Sequence, residues 1–251
     1  MAEQYDSVGG KYEEFKTTAT LPIPERHTFL KLVGDARGQR VLDLACGSGH
    51  YSRLLKEHGA ERVEGVDISP EMVRVAERAE QERGRGIHYH VFDAAALPHL
   101  GDFDLVTAVY LLNYARTRDE LLRMCRGAAL NLKEGGRFIA FTIDPSFDLR
   151  RSNWAAYGFE VQSEHLEEGR HVCRARFLTD PPAPIEYLRW PASVYESVLA
   201  EAGFREVTWH PFEIPAEAVA KYGEAFWREY RDNPLLIALS GRKASPVPPG
   251  R

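Results

Sequence analysis

Cysteine is scarce in this 251-residue chain: there are three, Cys46, Cys125 and Cys173, and no C-x-x-C spacing. Such an odd, sparse set argues against a disulfide framework and a zinc site, and it fits a reducing compartment. An excess of positive charge is lacking too. Lys and Arg number 32 against 37 Asp and Glu, a formal net charge of -5, so nothing draws the protein as a whole toward phosphate backbones or anionic bilayers. Neither nucleic acid nor a membrane is an expected partner. No apolar run approaches the roughly 20 residues of a membrane span, and the start, MAEQYDSVGG, has no basic stretch followed by an apolar one. A cytoplasmic location is expected. Internal repeats and linkers are absent as well, apart from a Pro- and Gly-rich end at 244–251 that reads as a disordered tail. With 44 % hydrophobic residues, residues 1–243 suffice for a single domain with one large core.

What is present is an alternation of periods. Short apolar runs of strand length fall at 40–44, 62–67, 87–92, 103–110 and 137–143. Segments of helical spacing lie between them, and another helix precedes the first strand at 25–33. The segment after residue 67 is well marked. Ser69 stands at the N-cap, Pro70 opens the first turn, Met72, Val73, Ala76 and Ala79 form one apolar stripe, and Gly84 suits its end. Strand and helix in strict alternation, with nearly continuous apolar strands, imply an α/β fold: a parallel sheet with helices on both faces. Ligands of such sheets bind beyond the carboxyl ends of the strands.

After Ile143 the pattern changes. Residues 144–190 are rich in aromatics, arginine and proline and read as an insertion. In it FEVQSEHL and HVCRARFL alternate across a turn at Glu168 and Gly169, as an antiparallel hairpin would. The regular pattern resumes with a helix over PASVYESVLAEAG, a strand at FREVTWHPF, one helix from Pro215 to about Tyr230 and a last strand, LLIALSGRK, whose direction the spacing does not fix.

The stretch VLDLACGSGH at 41–50 carries an aspartate inside a buried strand and then breaks into Gly-Ser-Gly. Gly47 and Gly49 stand between strand and helix, where free backbone N–H groups and small residues favour a ligand. Asp67 closes the next strand about 20 residues on, the spacing of a carboxylate that holds a ribose diol, and Asp93 closes the strand after that. A nicotinamide dinucleotide and S-adenosylmethionine both carry a ribose. The dinucleotide pattern wants a third glycine where Ser52 stands, and Asp43 would set negative charge beside a pyrophosphate. A cationic cofactor is favoured by a carboxylate there.

VLDLACGSG, GVDIS, FDLVTAVYLLNY and LKEGGRFIAF, in that order over residues 40–142, resemble the motifs of class I S-adenosylmethionine-dependent methyltransferases. That resemblance implies a Rossmann-like, seven-stranded, mostly parallel sheet of order 3-2-1-4-5-7-6 with strand 7 antiparallel. It also implies an N-terminal helical cover at 1–35, and the inserted hairpin between strands 5 and 6 becomes a lid at 144–190 over the substrate. Gly47 and Gly49, with Ala45 and Asp43, would lie against S-adenosyl-L-methionine. Asp67, with Ile68 and Met72 beside it, would bind the ribose, and Asp93 with Ala94 would face the adenine. Tyr5 and Tyr12 would fold over the cofactor, and Tyr110 would stand beside the transfer point; S-adenosyl-L-homocysteine is the product. YDSVGGKYEEF, IDPSFDLRRSNWAAYG and FLTDPPAPIEYLRWPASVYESVLAEAGF further resemble the toxoflavin synthase group, which places N-methyl groups on an azapteridine. A small planar heterocyclic acceptor is implied, with a role in secondary metabolism such as antibiotic biosynthesis.

Methyl transfer needs positioning, exclusion of water and, at most, removal of one acceptor proton. Candidates for the base are His165, His171, Tyr157 and Asp144. Candidates for acceptor contact are Asn113, Tyr114, Trp154, Glu186 and Tyr187, each with an ordinary packing or surface role as its alternative. No metal is expected, because the fourth strand ends in YLLNY rather than in acids, and His88 with His90 lacks a third ligand. Cys46 reads as a small packing residue. Rival readings are O- or C-methylation, a lyase or pericyclase built on the same cofactor site, and a non-catalytic binding protein. Monomer and homodimer both remain open.

Overall fold

A computed structural model of the chain describes residue 11 and residues 14–245. Tyr5, Tyr12 and most of the expected tail lie outside them. Among the described residues the strands are β1 Arg40–Leu44, β2 Arg62–Asp67, β3 Ile87–Val91, β4 Phe103–Val109, β5 Leu132–Ile143, β6 Phe159–Glu167, β7 Arg170–Phe177, β8 Ala183–Arg189, β9 Phe204–Pro211 and β10 Leu236–Lys243. Besides a helical run at 14–18, the helices of the described residues are α1 Pro22–Val33, α2 His50–Glu57, α3 Pro70–Arg83, α4 Arg118–Leu130, α5 Ala192–Glu201, α6 Ala216–Tyr222 and α7 Arg228–Asp232.

Seven strands form one sheet of order β3-β2-β1-β4-β5-β10-β9, parallel except for β10, which runs against both β5 and β9. This is the Rossmann-like class I methyltransferase topology, and it fixes the direction that spacing left open. Successive residues of the central strands alternate between two cores. Val41, Leu105 and Phe141 face α1 and α2, while Leu42, Val106 and Phe138 face α4 and α5. Both sides are buried, so the strands read as continuous apolar runs. Each such side chain contributes roughly 1.5–3 kcal/mol by leaving water.

Helix starts follow local chemistry. Ser69 accepts a hydrogen bond from the Met72 amide at 3.2 Å and Pro70 opens α3. Replacing Ser69 by alanine is expected to lower stability by about 1 kcal/mol, read from denaturant midpoints. Two expectations need correction. The helix expected from Pro215 to about Tyr230 is two short ones, α6 and α7, because the chain turns at Gly223 with φ +85°. The expected hairpin is a three-stranded sheet, β6-β7-β8, because 183–189 adds a third strand antiparallel to β7. Its inner face is apolar, with Phe159, Val161, Ala175, Phe177, Ile185 and Tyr187 buried. The outer face carries ion pairs such as Arg176–Glu160 at 2.5 Å. Among the described residues no helix is long and apolar enough to cross a membrane.

Candidate active site

The carboxyl ends of β1, β2 and β4 open into a cleft of about 250 Å³. At its floor the chain leaves β1 with Ala45 in the left-handed region (φ +56°) and turns at Gly47 (φ +54°). The Gly47 amide donates to Asp67 Oδ2 at 2.8 Å, and the Ser69 amide donates to Asp67 Oδ1 at 2.9 Å. The acid at the end of β2 is therefore fixed by two backbone donors on the cleft wall. A Cβ on Gly47 would meet Met72 Cε at 3.3 Å, so a side chain there would narrow the cleft. Asp93 caps the turn at 94–96 by accepting from the Ala95 amide at 2.8 Å. Ile68 and Phe92, each 37 % exposed, line the mouth. Apolar walls, a small-residue floor and two acids at strand ends fit a nucleoside whose sugar and base both hydrogen-bond.

Tyr110 ends β4 in the left-handed region at φ +59°, where few residues other than glycine settle. It lines the cleft, and so does Tyr114. Both also line a second, smaller cavity of about 50 Å³. That cavity lies under the inner face of the three-stranded sheet, walled by Phe15, Phe159, Phe177 and Tyr187, with Asn113, Lys16 and Glu25 as its polar groups. The two cavities thus share one pair of tyrosines as a common wall.

Most of the sequence candidates converge here. Ala45, Gly47, Asp67, Ile68, Met72, Asp93, Ala94 and Tyr110 line the cleft. Asn113, Tyr114 and Tyr187 line the smaller cavity.

Others lie elsewhere, each for a physical reason. Gly49 starts α2 at φ +82° and packs against Tyr89, whose hydroxyl would sit 2.3 Å from an added Cβ. It does not line the cleft. Asp43 is 1 % exposed and does not line the cleft; Ser52 Oγ and Thr107 Oγ1 donate to it at 2.7 and 2.8 Å. Tyr157 is wholly buried. Its hydroxyl donates to the Phe226 carbonyl at 2.8 Å and accepts from the Tyr230 amide at 2.9 Å, and burial pushes its pKa up to about 12. Trp154 is equally buried, with its indole N–H on the Asn233 carbonyl at 2.9 Å. Both belong to the core. Asp144 caps the turn after β5, accepting from the Ser146 amide at 2.7 Å and its hydroxyl at 2.6 Å. Glu186 faces outward, because its neighbours Ile185 and Tyr187 face inward and a strand alternates. It pairs with Arg174 at 3.5 Å.

The two hairpin histidines also miss the cavities. His165 is exposed, 3.5 Å from Glu167. His171 packs 3.5 Å from Glu164, and its pKa is lowered by burial and then by Arg189. Sequence reasoning missed His50, Tyr51, Arg116, Glu120 and Met124 on the cleft, and it took Cys46, which also lines it, for packing. Four of them lie in helices, His50 and Tyr51 directly after the glycine turn and Glu120 and Met124 one turn apart in α4, which helical periodicity could have flagged. It also missed Lys16 and Glu25, which gave no signal. Among the described residues no three of His, Cys, Asp and Glu stand close enough to hold a metal ion.

Residues 41–136 match a protein-family model described as a methyltransferase domain. A ubiquinone biosynthesis O-methyltransferase of Coxiella burnetii is 28 % identical over 211 residues, covering 82 % of this chain and 84 % of its own. Its namesake in Xanthomonas axonopodis pv. citri is 31 % identical over 153 residues, 59 % of this chain and 60 % of its own. Among solved structures, an S-adenosylmethionine-dependent methyltransferase from Mesorhizobium loti superposes with a TM-score of 0.63 at 24 % identity, covering 87 % of this chain and 97 % of that one.

Proposed function

We propose that this chain, an S-adenosylmethionine-dependent methyltransferase of the class I fold, methylates a ring nitrogen of a small planar heterocycle held beneath the three-stranded sheet. The observation that carries the reading is the shared wall: Tyr110 and Tyr114 border both the cleft at the strand ends and the aromatic cavity beside it. When bound, the cofactor supplies an electrophilic methyl group on a sulfonium. In this reading Asp67 holds the ribose hydroxyls, and Asp93 with the Ala94 backbone meets the adenine. Ala45 and Gly47 lie along the amino acid end, and Ile68, Met72 and Tyr110 complete the walls. The chain's own contribution is alignment and dryness. Aromatic side chains exclude water from the acceptor and hold it flat against Tyr110. Asn113, Tyr114 and Tyr187 contact the acceptor, and the three-stranded sheet acts as its roof within one domain.

The likeness of the insertion to the toxoflavin synthase group supports nitrogen as the methylated atom and a role in secondary metabolism. The O-methyltransferase relatives support a second reading, in which a ring hydroxyl takes the methyl group. Titration calorimetry with S-adenosylhomocysteine is expected to give micromolar binding. Turnover of flat heterocycles and phenols is expected to release S-adenosylhomocysteine, with the new methyl located by NMR. No binding of S-adenosylhomocysteine would refute the reading at its base. Release of methylthioadenosine would mark a lyase.

A further inference from the structure

We propose that Glu25 is the group that recognises the acceptor, by accepting a hydrogen bond from a ring N–H or O–H; this rests on the smaller cavity being the acceptor site. Glu25 lies in the first turn of α1, its side chain 0 % exposed, and it lines that cavity. Its Oε1 is spoken for, accepting from Lys16 Nζ at 2.7 Å and from the Tyr51 hydroxyl at 3.0 Å. Its Oε2 is buried and has no hydrogen-bond partner among the described residues. A buried carboxylate oxygen without a donor is costly, and native structures seldom tolerate one without a function.

The surroundings define what would satisfy it. Lys16, 1 % exposed, balances the charge and lies 5.1 Å from the centre of the Tyr51 ring and 5.6 Å from that of Tyr110. The carboxylate is thereby held close to the wall shared with the cofactor cleft. Phe15 and Phe177, with ring centres 4.7 Å apart, and Phe159, 5.2 Å from Phe177, supply flat apolar surface. Two more polar atoms of the same cavity, Asn113 Oδ1 and the Tyr187 hydroxyl, are buried without partners among the described residues. Two acceptor oxygens and a hydroxyl in an aromatic box complement a flat heteroaromatic compound carrying at least one, and preferably two, N–H or O–H donors. A fully N- or O-methylated analogue would leave Glu25 Oε2 unpaired.

The test is binding, with S-adenosylhomocysteine present, of two matched pairs: lumazine with its N,N′-dimethyl derivative, and naphthol with methoxynaphthalene. The donor-bearing member of at least one pair is expected to bind about tenfold or more tightly, equivalent to about 1.4 kcal/mol. Glu25→Gln is expected to erase that preference while S-adenosylhomocysteine still binds. Lys16 and Tyr51 both donate, so the glutamine carbonyl must turn toward them, and its NH₂ then meets the ligand's donor head-on. If Glu25→Gln does not fold, Glu25→Asp keeps the charge for Lys16 but withdraws the free oxygen, and the preference is expected to drop below about threefold. The proposal is overturned if wild type shows no preference, if no member binds, or if the preference survives substitution. Loss of S-adenosylhomocysteine binding by wild type would instead sink the methyltransferase reading, and this proposal with it.

Discussion

Replacing Asp67 by alanine is expected to weaken S-adenosylhomocysteine binding by about two to four orders of magnitude while the protein stays folded. Asp67 closes β2 on the cleft wall, and the Gly47 and Ser69 amides hold its carboxylate in one orientation. In the proposed reading its two oxygens meet the hydroxyls of the ribose, since a carboxylate oxygen accepts more than one hydrogen bond. Hydrogen bonds to a charged group contribute roughly 1.5–3 kcal/mol each, and every 1.4 kcal/mol is about tenfold, which gives the stated range for two. The fold should survive because the two amides lie at the cleft, where water can replace the carboxylate. Calorimetry gives the affinity and a thermal melt controls for folding. A folded Asp67→Ala variant that binds within about threefold of wild type would place the sugar elsewhere.

Asp67 was legible because its position is set by local rules: a strand of fixed length, a tight turn and a capped helix. The same holds for Gly47, Asp93 and Tyr110, each at the end of a strand that continuous burial makes easy to delimit. The insertion was less legible, because its residues are placed by partners far along the chain. Tyr157 reads as a candidate base and Trp154 as a flat surface for the acceptor. They are instead closed off by the Phe226 carbonyl, the Tyr230 amide and the Asn233 carbonyl, 69 to 79 residues away. Glu186 and Tyr187 were both candidates for the acceptor site, although adjacent strand residues point to opposite faces and only one of them could enter. The pair Lys16–Glu25 was silent for a related reason. An acid in a first helical turn suits the helix dipole, and nothing local says that Tyr51 and a cavity close around it.

Replacing Asp43 by asparagine is expected to stabilise the protein above about pH 6 by about 3 kcal/mol and to leave it nearly unchanged near pH 4. Burial raises the Asp43 carboxyl from its ordinary value near 3.8 to about 6; the hydroxyls of Ser52 and Thr107 pull the other way, and the negative charge of Asp67 adds to the rise. A carboxyl whose folded pKa lies above its unfolded one binds its proton more tightly in the folded state. Its stabilising contribution is therefore fully present below about pH 3.8 and is lost as pH rises through about 6, roughly 1.4 kcal/mol for each unit between the two. Asparagine has the same shape, carries no charge, and can still exchange hydrogen bonds with Ser52 and Thr107, whose hydroxyls rotate. Comparing the two proteins at each pH isolates Asp43 from every other titrating group, since only their difference matters. Chemical denaturation at about pH 4, 6 and 8 reads it, and a wild-type-to-variant gap that stays constant across that range would refute the argument. A residue that lowers stability at neutral pH has a use in the proposed reading. Behind the floor of the cleft, an ionised Asp43 favours the ammonium and sulfonium of the cofactor, so the stabilised variant is expected to bind S-adenosylmethionine more weakly than wild type does at pH 8.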